Sequence, residues 1–240
     1  MKNKWFCYIQ INEEENYVNT SGMTFNEFYE GIQVKPNNIL ILKGYPGDRY
    51  CQFDNKTDLE YVTSDNIKDF AQTNVYDYGD FYWLDFESID SLKSISDLEL
   101  AEILFLAHKA KPVKTFRFGC LNNQYVYCCH DDSWSVKVYM NRIESYKSVI
   151  EYKILKELKG KKKTISPFPK DISDRLYTLF KQGGIIDFEY GVKDSVRIYP
   201  VGCLNDMDAI HEKLDKLRTC LKGLSLGYNR VTKKWDLYEW

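Results

Sequence analysis

The segment Gln124–Tyr139 constrains the fold more than any other part of the chain, because it predicts a β-hairpin. From Gln124 to His130, successive side chains fall alternately into two rows, and they do so again from Trp134 onward. This is the two-residue period of half-buried strands. The three residues between these runs include Asp131 and Asp132, whose side chains favour turns. We therefore predict a hairpin with His130 close to the apolar row of the returning strand and with the two aspartates at its exposed tip.

Aromatic and apolar runs elsewhere predict further strands and helices that do not alternate regularly. The segment Gly79–Ser88 is rich in aromatic residues and predicts a buried strand with Asp80 and Asp85 near its ends. Strands and helices mixed in this way favour an α+β fold over a doubly wound one. We predict a mixed or antiparallel sheet that is packed by helices.

A helix is predicted soon after this strand. Ser96 and Glu99 have the spacing of a capping box, and the segment Leu98–Ala107 leaves almost no polar face. We therefore expect this helix to be covered on most sides. It should end before Pro112, because the proline ring disfavours helical geometry in the preceding residue.

The basic, proline-containing segment 160–170 predicts a boundary between two structural units. Before it, residues 1–159 form the predicted N-terminal α+β domain. This domain ends in an amphipathic helix with Lys153 on its solvent-exposed (wet) side. After it, residues 171–240 form a smaller α+β unit. The lysines of 159–163 are predicted to lie in a solvated loop, with contact to phosphate or an acidic partner as the alternative.

Composition and charge describe an ordinary globular protein. Of 240 residues, 44% are hydrophobic and 28% are charged, which is typical of soluble domains. A protein with a formal net charge of −2 does not attract nucleic acid or an anionic membrane through its overall charge. We therefore expect neither as a partner. Seven cysteines without a repeated spacing indicate reduced thiols. No apolar run has the length of a signal sequence or of a membrane span, and we predict a soluble, cytoplasmic protein.

Three sequence blocks carry a resemblance to a known family. They are YGDFYWLDF at Tyr78–Phe86, LAEILFLAH at Leu100–His108, and HDDSW with KVY within His130–Tyr139. On these blocks and their spacing the chain resembles a family of small soluble proteins from Gram-positive bacteria that has no established biochemical role. Some members carry an oxalate:formate antiporter name, which a chain without a predicted membrane span does not support. The resemblance implies homology over the middle of the chain but no particular activity.

Two histidines and several aspartates are the candidates for chemistry. His108 and the pair His130–Asp131 resemble the ligand pattern of metal-dependent phosphohydrolases, but those enzymes hold their ligands on helices. The structural alternative is one histidine at a helix end and another hydrogen-bonded beside the core. The candidate site comprises Asp80, Asp85, His108, His130, Asp131, Asp132 and Trp134. Since a carboxylate beside a histidine forms an acid–base pair, convergence of these residues is one hypothesis, and structural hydrogen bonding is the other.

The remaining motifs favour structural roles. Cys128 and Cys129 are adjacent on a predicted strand and should point to opposite faces, so they should not share a zinc ion. The aromatic residues have few basic neighbours, which favours core or interface use over the stacking of nucleic-acid bases. We therefore predict no metal and no other cofactor.

Two functions follow as hypotheses. The first is a non-catalytic protein-interaction protein, in the context of a conflict or immunity system, that binds another protein through an aromatic and acidic surface around Asp131 and Asp132. The lack of an intact catalytic motif and the aromatic excess motivate it. The second is a hydrolase that acts on a phosphorylated or amide substrate through His108, His130 and nearby carboxylates.

Overall fold

The computed structural model describes residues 6–44, 51–72, 80–130, 135–159, 165–191, 194–204, 206–219 and 223–239. The strands of these residues are β1 (Phe6–Asn12), β2 (Tyr17–Ser21), β3 (Asn38–Lys43), β4 (Gln52–Asp54), β5 (Leu59–Val62), β6 (Phe81–Phe86), β7 (Tyr125–His130), β8 (Ser135–Met140), β9 (Gly184–Asp187), β10 (Ser195–Pro200), β11 (Leu224–Asn229) and β12 (Lys234–Glu239). The helices are α1 (Phe25–Gly31), α2 (Ser64–Gln72), α3 (Ile89–Lys93), α4 (Asp97–Lys109), α5 (Tyr146–Lys159), α6 (Lys170–Lys181) and α7 (Met207–Arg218), with a 3₁₀ helix at Ile143–Ser145.

These elements divide between two compact units. Unit 1 comprises Met1–Gln33 and Glu144–Trp240, and unit 2 comprises Val34–Ile143. Neighbouring strands within each unit pair antiparallel. The predicted α+β class is therefore confirmed, and its sheet is antiparallel. Within the residues described above, no helix combines the length and the apolar content that a membrane crossing requires.

The described residues of unit 1 include six strands in the order β12-β11-β10-β9-β1-β2. β9 pairs with β1, with Ile185 opposite Tyr8. The first strand of the chain therefore lies in one sheet with strands from the predicted C-terminal unit, and the compact units divide elsewhere than at 160–170. Residues 160–164 lie outside the described residues, and independent folding of 171–240 stays a prediction.

A buried cluster forms the core between α7 and the sheet of unit 1. Its members are Phe6, Tyr8, Ile185, Tyr199, Ile210 and Leu214. The Tyr8 hydroxyl donates to Gly202 O at 3.2 Å and accepts from Leu204 N at 2.8 Å. These two bonds tie β1 to the loop that leads from β10 to α7.

Helices α1 and α5 of unit 1 meet at a buried ion pair. α1 begins at a capping box in which Thr24 and Glu27 exchange hydrogen bonds. The same Glu27 accepts from Lys153 of α5 at 2.8 Å and from Lys156 at 3.0 Å. Lys153 is buried, so its predicted place on the wet side of the helix is wrong. Its charge is tolerated because a carboxylate lies beside it.

In the part of unit 2 that the structure describes, six strands follow the order β8-β7-β6-β3-β5-β4. The aromatic strand β6 lies between β7 and β3, where both of its edges are paired. Trp83 of β6 lies opposite Tyr127 of β7 and Ile41 of β3, and all three side chains are buried. As predicted, Asp80 and Asp85 lie near the two ends of this strand.

The predicted hairpin of β7 and β8 forms, but its register differs by one residue from the predicted one. His130 pairs with Ser135, so four residues separate the strands instead of three. A shift of one residue moves every side chain of a strand to the opposite face. His130 therefore shares a face with Lys137 rather than with the apolar row of Val136, and that prediction is wrong. The tip, residues 131–134, lies outside the described residues.

Helix α4 begins and ends where the sequence predicts, but it is much less buried. Ser96 and Glu99 form the predicted capping box, and Ala110 ends the helix in a left-handed conformation. α4 packs on β3, and its buried residues are Ile103, Leu106 and Ala107. Its exposed residues include Leu98, Leu104 and Phe105. The prediction of a helix covered on most sides is therefore wrong, because one face suffices for contact with the sheet.

Candidate functional site

Four polar side chains meet at one end of β6, and we name them the β6 cluster. Asp80 directly precedes β6, and His130 is the last residue of β7; their neighbours Phe81 and Cys129 lie opposite each other. The Tyr82 hydroxyl and His130 Nδ1 are 3.1 Å apart, and Asp80 Oδ2 lies 3.9 Å from the same nitrogen. The fourth member is Lys43, whose Nζ lies 3.1 Å from Asp80 Oδ2.

A β-bulge brings Lys43 into the β6 cluster. The register of β3 against β6 shifts between Ile41 and Lys43, so that Lys43 pairs with Tyr82. Directly opposed residues share a face of the sheet, and bulges re-aim side chains in this way. The Lys43 ammonium consequently lies 5.1 Å from the centre of the Tyr82 ring and within reach of Asp80. Without the bulge it would lie opposite Phe81, on the other face.

Burial and negative charge keep the Tyr82 hydroxyl protonated. Burial raises the pKa of Tyr82 well above its usual range, and the Asp80 carboxylate raises it further. A protonated phenol can donate to a neutral His130 at Nδ1, which leaves the imidazole proton on Nε2. When the imidazole is charged, Nδ1–H donates to the phenol oxygen and faces Asp80. The β6 cluster can therefore orient this ring.

Asp85 lies at the other end of β6 and has a different role. It is buried, and its Oδ1 accepts from the backbone N–H groups of Gln124 at 2.9 Å and Tyr125 at 2.7 Å. These bonds hold the start of β7 against the end of β6. Burial raises the pKa of Asp85 to about 7, although both backbone donors act in the opposite direction. At about 3.3 Å per residue, Asp80 and Asp85 are about 16 Å apart, so they do not converge.

His108 lies exposed in the last turn of α4. Across the described part of the chain, neither a hydrogen bond nor an ion pair joins it to Asp80, Asp85 or His130. The described contacts thus bring His130 together with Asp80 alone among the predicted site residues. Those that lie outside the described residues are Asp131, Asp132 and Trp134.

Two members of the β6 cluster, Tyr82 and Lys43, are absent from the residues that sequence analysis proposes. Strand alternation could have found Tyr82, because residues two apart on a strand share a face and Tyr82 follows Asp80 at that spacing. Lys43 carries no such signal. Its position depends on the pairing of β3 with β6 and on the bulge, which no local pattern indicates.

The described residues give little support to metal binding or to thiol chemistry. No group of three or more His, Cys, Asp or Glu side chains that could hold a metal ion occurs within the described ranges. Cys128 lies opposite Lys137 and Cys129 lies opposite Val136, so the two thiols point to opposite faces of β7. Burial raises the pKa of Cys128 to about 12. A thiol that stays protonated at neutral pH is a poor nucleophile and a poor metal ligand.

A second candidate site is the solvent-facing side of α4. Leu98 is 66% exposed, Leu104 is 44% exposed and Phe105 is 43% exposed, although such side chains are usually buried. At 3.6 residues per turn, these positions and two further exposed ones fall within an arc of about 120°. The α4 outer face consists of Leu98, Ala101, Leu104, Phe105 and His108.

Opposite charges lie at the two ends of the α4 outer face. Asp97 is the first residue of the helix, Lys109 is the last, and both are exposed. The other acidic residues of the helix are engaged locally: Glu99 accepts from Ser96 N at 3.0 Å, and Glu102 pairs with a lysine at 3.6 Å. The face therefore runs from a negative end to a positive end.

Comparison with known proteins assigns no family to this chain. No family model matches it, and neither a curated protein nor a solved structure does. The resemblance to small proteins of Gram-positive bacteria accordingly stays a prediction that rests on three sequence blocks.

Proposed function

We propose that this chain is a non-catalytic protein-interaction protein that binds another protein through the α4 outer face. The exposure of Leu98, Leu104 and Phe105 on one side of a single helix carries the proposal. Contiguous exposed apolar surface is uncommon on monomeric soluble proteins and marks contact sites. Its removal from water contributes about 25 cal/mol per Å², which favours association over continued exposure.

The shape and charge of this face indicate the chemistry of the partner. A thirteen-residue helix presents a ridge about 20 Å long, and a second helix with an apolar stripe packs against such a ridge. The partner helix should place a positive group near Asp97 and a negative group near Lys109, because complementary charges orient an interface. The expected partner is therefore an amphipathic helix.

The hairpin tip that sequence analysis proposes as the binding surface lies outside the described residues. A contribution from Asp131, Asp132 and Trp134 to partner binding stays a prediction. The cytoplasmic location and the conflict or immunity context stay predictions as well.

A hydrolase is the second candidate, because His130 contacts Tyr82 and lies near Asp80. Two observations count against it: Asp80 also pairs with Lys43, and no contact between described residues joins His108 to this group. Turnover of a nitrophenyl phosphate or an aminoacyl nitroanilide by the wild type, with loss of turnover in His130→Ala, would favour the hydrolase. We expect no turnover by either protein.

Site-specific photo-crosslinking tests the proposed interaction. A benzophenone side chain in place of Phe105 should form a discrete protein adduct in the cells that produce the chain. Val231 provides the matched control, because it is 93% exposed in the turn between β11 and β12 and belongs to unit 1, whereas α4 belongs to unit 2. The same adducts from both positions, or none from position 105, would contradict a binding role of the α4 outer face.

A further inference from the structure

The α4 outer face is complementary to itself, and we propose that the protein it binds is a second copy of this chain. The inference rests on the proposed function and adds the identity of the partner. Two α4 helices would pack antiparallel about a two-fold axis that crosses the middle of the face. Closed two-fold pairing is the commonest way in which a chain binds its own copy.

Charge complementarity favours the antiparallel arrangement. In a two-fold antiparallel pair, the first turn of each helix lies beside the last turn of the other. Asp97 of one copy then lies at the same end of the interface as His108 and Lys109 of the second copy, with His108 on the same flank as Asp97, and the same arrangement occurs at the other end. A parallel pair would instead bring Asp97 beside Asp97 and Lys109 beside Lys109, which costs free energy through repulsion. The helix thus carries charges that favour one orientation of its own copy.

The sizes of the side chains fit the same register. When the first and last turns oppose each other, the middle of the face brings Ala101 of one copy against Leu104 and Phe105 of the other. A small residue opposite two large ones lets helix backbones approach closely while the large side chains fill the space beside it. The symmetric contact repeats this arrangement, so Phe105 becomes buried in both copies.

Two acidic residues of α4 are already paired within their own chain, so the charges at the two ends of the helix determine how a second copy is oriented. Glu99 is held by the capping box with Ser96, and Glu102 is held by Lys114. Asp97 and Lys109 lie at the two ends of the helix and are exposed. A change of sign at either position therefore acts on the interface, while Ser96 and Glu99 keep the helix start intact.

Charge reversal in trans tests this arrangement. Asp97→Lys alone places lysines at both ends of the interface, and Lys109→Asp alone places aspartates there, so each variant should dimerise about tenfold more weakly than the wild type. An equimolar mixture of the two variants restores opposite charges at both ends and should dimerise like the wild type. Analytical ultracentrifugation should extend to about 1 mM protein, since a small interface associates weakly.

Matched changes on another helix provide the control. Asp208→Lys and Lys213→Asp alter exposed residues of α7 with the same changes in net charge, and they should leave dimerisation unchanged. Phe105→Glu should abolish the dimer while the protein keeps the helix content and melting temperature of the wild type, because Phe105 is already partly exposed.

The outcomes separate this inference from the proposed function. A wild type that is monomeric up to about 1 mM, or a mixture of correctly folded charge variants that stays monomeric, overturns the second copy as partner. If position 105 nevertheless crosslinks specifically to a different protein, the interaction function stands and only the identity of the partner falls. If neither a dimer nor an adduct forms, both proposals fall.

Discussion

The pKa values of two buried carboxyl groups in this chain depend on their immediate neighbours. Burial by itself would raise the pKa of Glu27, but attraction and hydrogen bonding from Lys153, together with the Thr24 N–H and Lys156, outweigh burial and lower the pKa to about 2. Asp85 accepts backbone hydrogen bonds instead of an ion pair, and burial raises its pKa to about 7. Two buried carboxyl groups of one chain are thus perturbed in opposite directions, because one lies beside a cation and the other does not.

Loss of Lys153 should destabilise unit 1 strongly. Lys153→Met removes the cation that lies 2.8 Å from Glu27 and leaves a buried carboxylate that is incompletely compensated, at a cost of about 3 kcal/mol. Lys156→Met is the matched control. It removes a lysine from the same carboxylate at 3.0 Å, but its side chain is partly exposed, so its loss should cost less than about 1 kcal/mol. Urea unfolding measures both values, and equal losses would be inconsistent with the buried role of Lys153.

Asp85 should make stability fall as pH rises. The folded state retains the Asp85 proton up to about pH 7, whereas an unfolded aspartate releases it near pH 4. Unfolding therefore releases a proton between about pH 4 and 7, so the free energy of unfolding decreases across this interval. Asp85→Asn should remove that component of the decrease. Denaturant titrations at several pH values measure the slope, and identical slopes for both proteins would refute the raised pKa.

At the scale of one helix, the two sides of α4 should respond differently to truncation. Leu106 is buried against unit 2, and Leu106→Ala should cost about 3 kcal/mol through lost burial and a residual cavity. Leu104 is 44% exposed, and Leu104→Ala should change the free energy of unfolding by less than about 0.5 kcal/mol. Thermal unfolding of dilute protein separates the two. A large loss for Leu104→Ala would mean that its own chain covers this face.

The bounds of individual elements follow from local patterns, whereas their surroundings do not. Aromatic content and capping predict β6 and α4 correctly, because strand propensity and helix caps act over a few residues. The burial of α4 depends on which other surfaces exist, and an apolar helix looks the same in sequence whether its own chain or a partner covers it. The observed register of β7 against β8 differs by one residue from the predicted one. The turn has four residues rather than three, and residue types alone do not indicate this length.

In the candidate site, too, local sequence patterns do not indicate which side chains meet. The contact of Asp80 with His130 results from the pairing of β6 with β7, which no spacing within either strand indicates. The sequence pattern predicts Lys153 on the solvent side of its helix, because its counter-charge Glu27 is 126 positions away in the chain. Contacts of this kind depend on tertiary pairing, and short-range spacing carries no information about them.

Unit 1 is built from both ends of the chain, and this has a consequence for the whole molecule. β1 is paired with β9 on one edge, and Phe6 and Tyr8 pack on residues of β9, β10 and α7. A fragment of residues 1–159 lacks these strands and this helix and should not form unit 1. Limited proteolysis should cut residues 6–33 of this fragment rapidly, while the full chain resists at the same positions. Equal resistance would instead support the predicted domain boundary at 160–170.

At the scale of the whole molecule, we propose that another protein covers the α4 outer face. Hydroxyl-radical footprinting measures the exposure of individual side chains and tests this most directly. At high protein concentration Leu98, Leu104 and Phe105 should be oxidised several-fold more slowly than in dilute protein, while Val231 and Tyr238, which are also exposed, should react at unchanged rates. Equal oxidation of the three α4 side chains at both concentrations, and also in the presence of cell extract, would contradict the account.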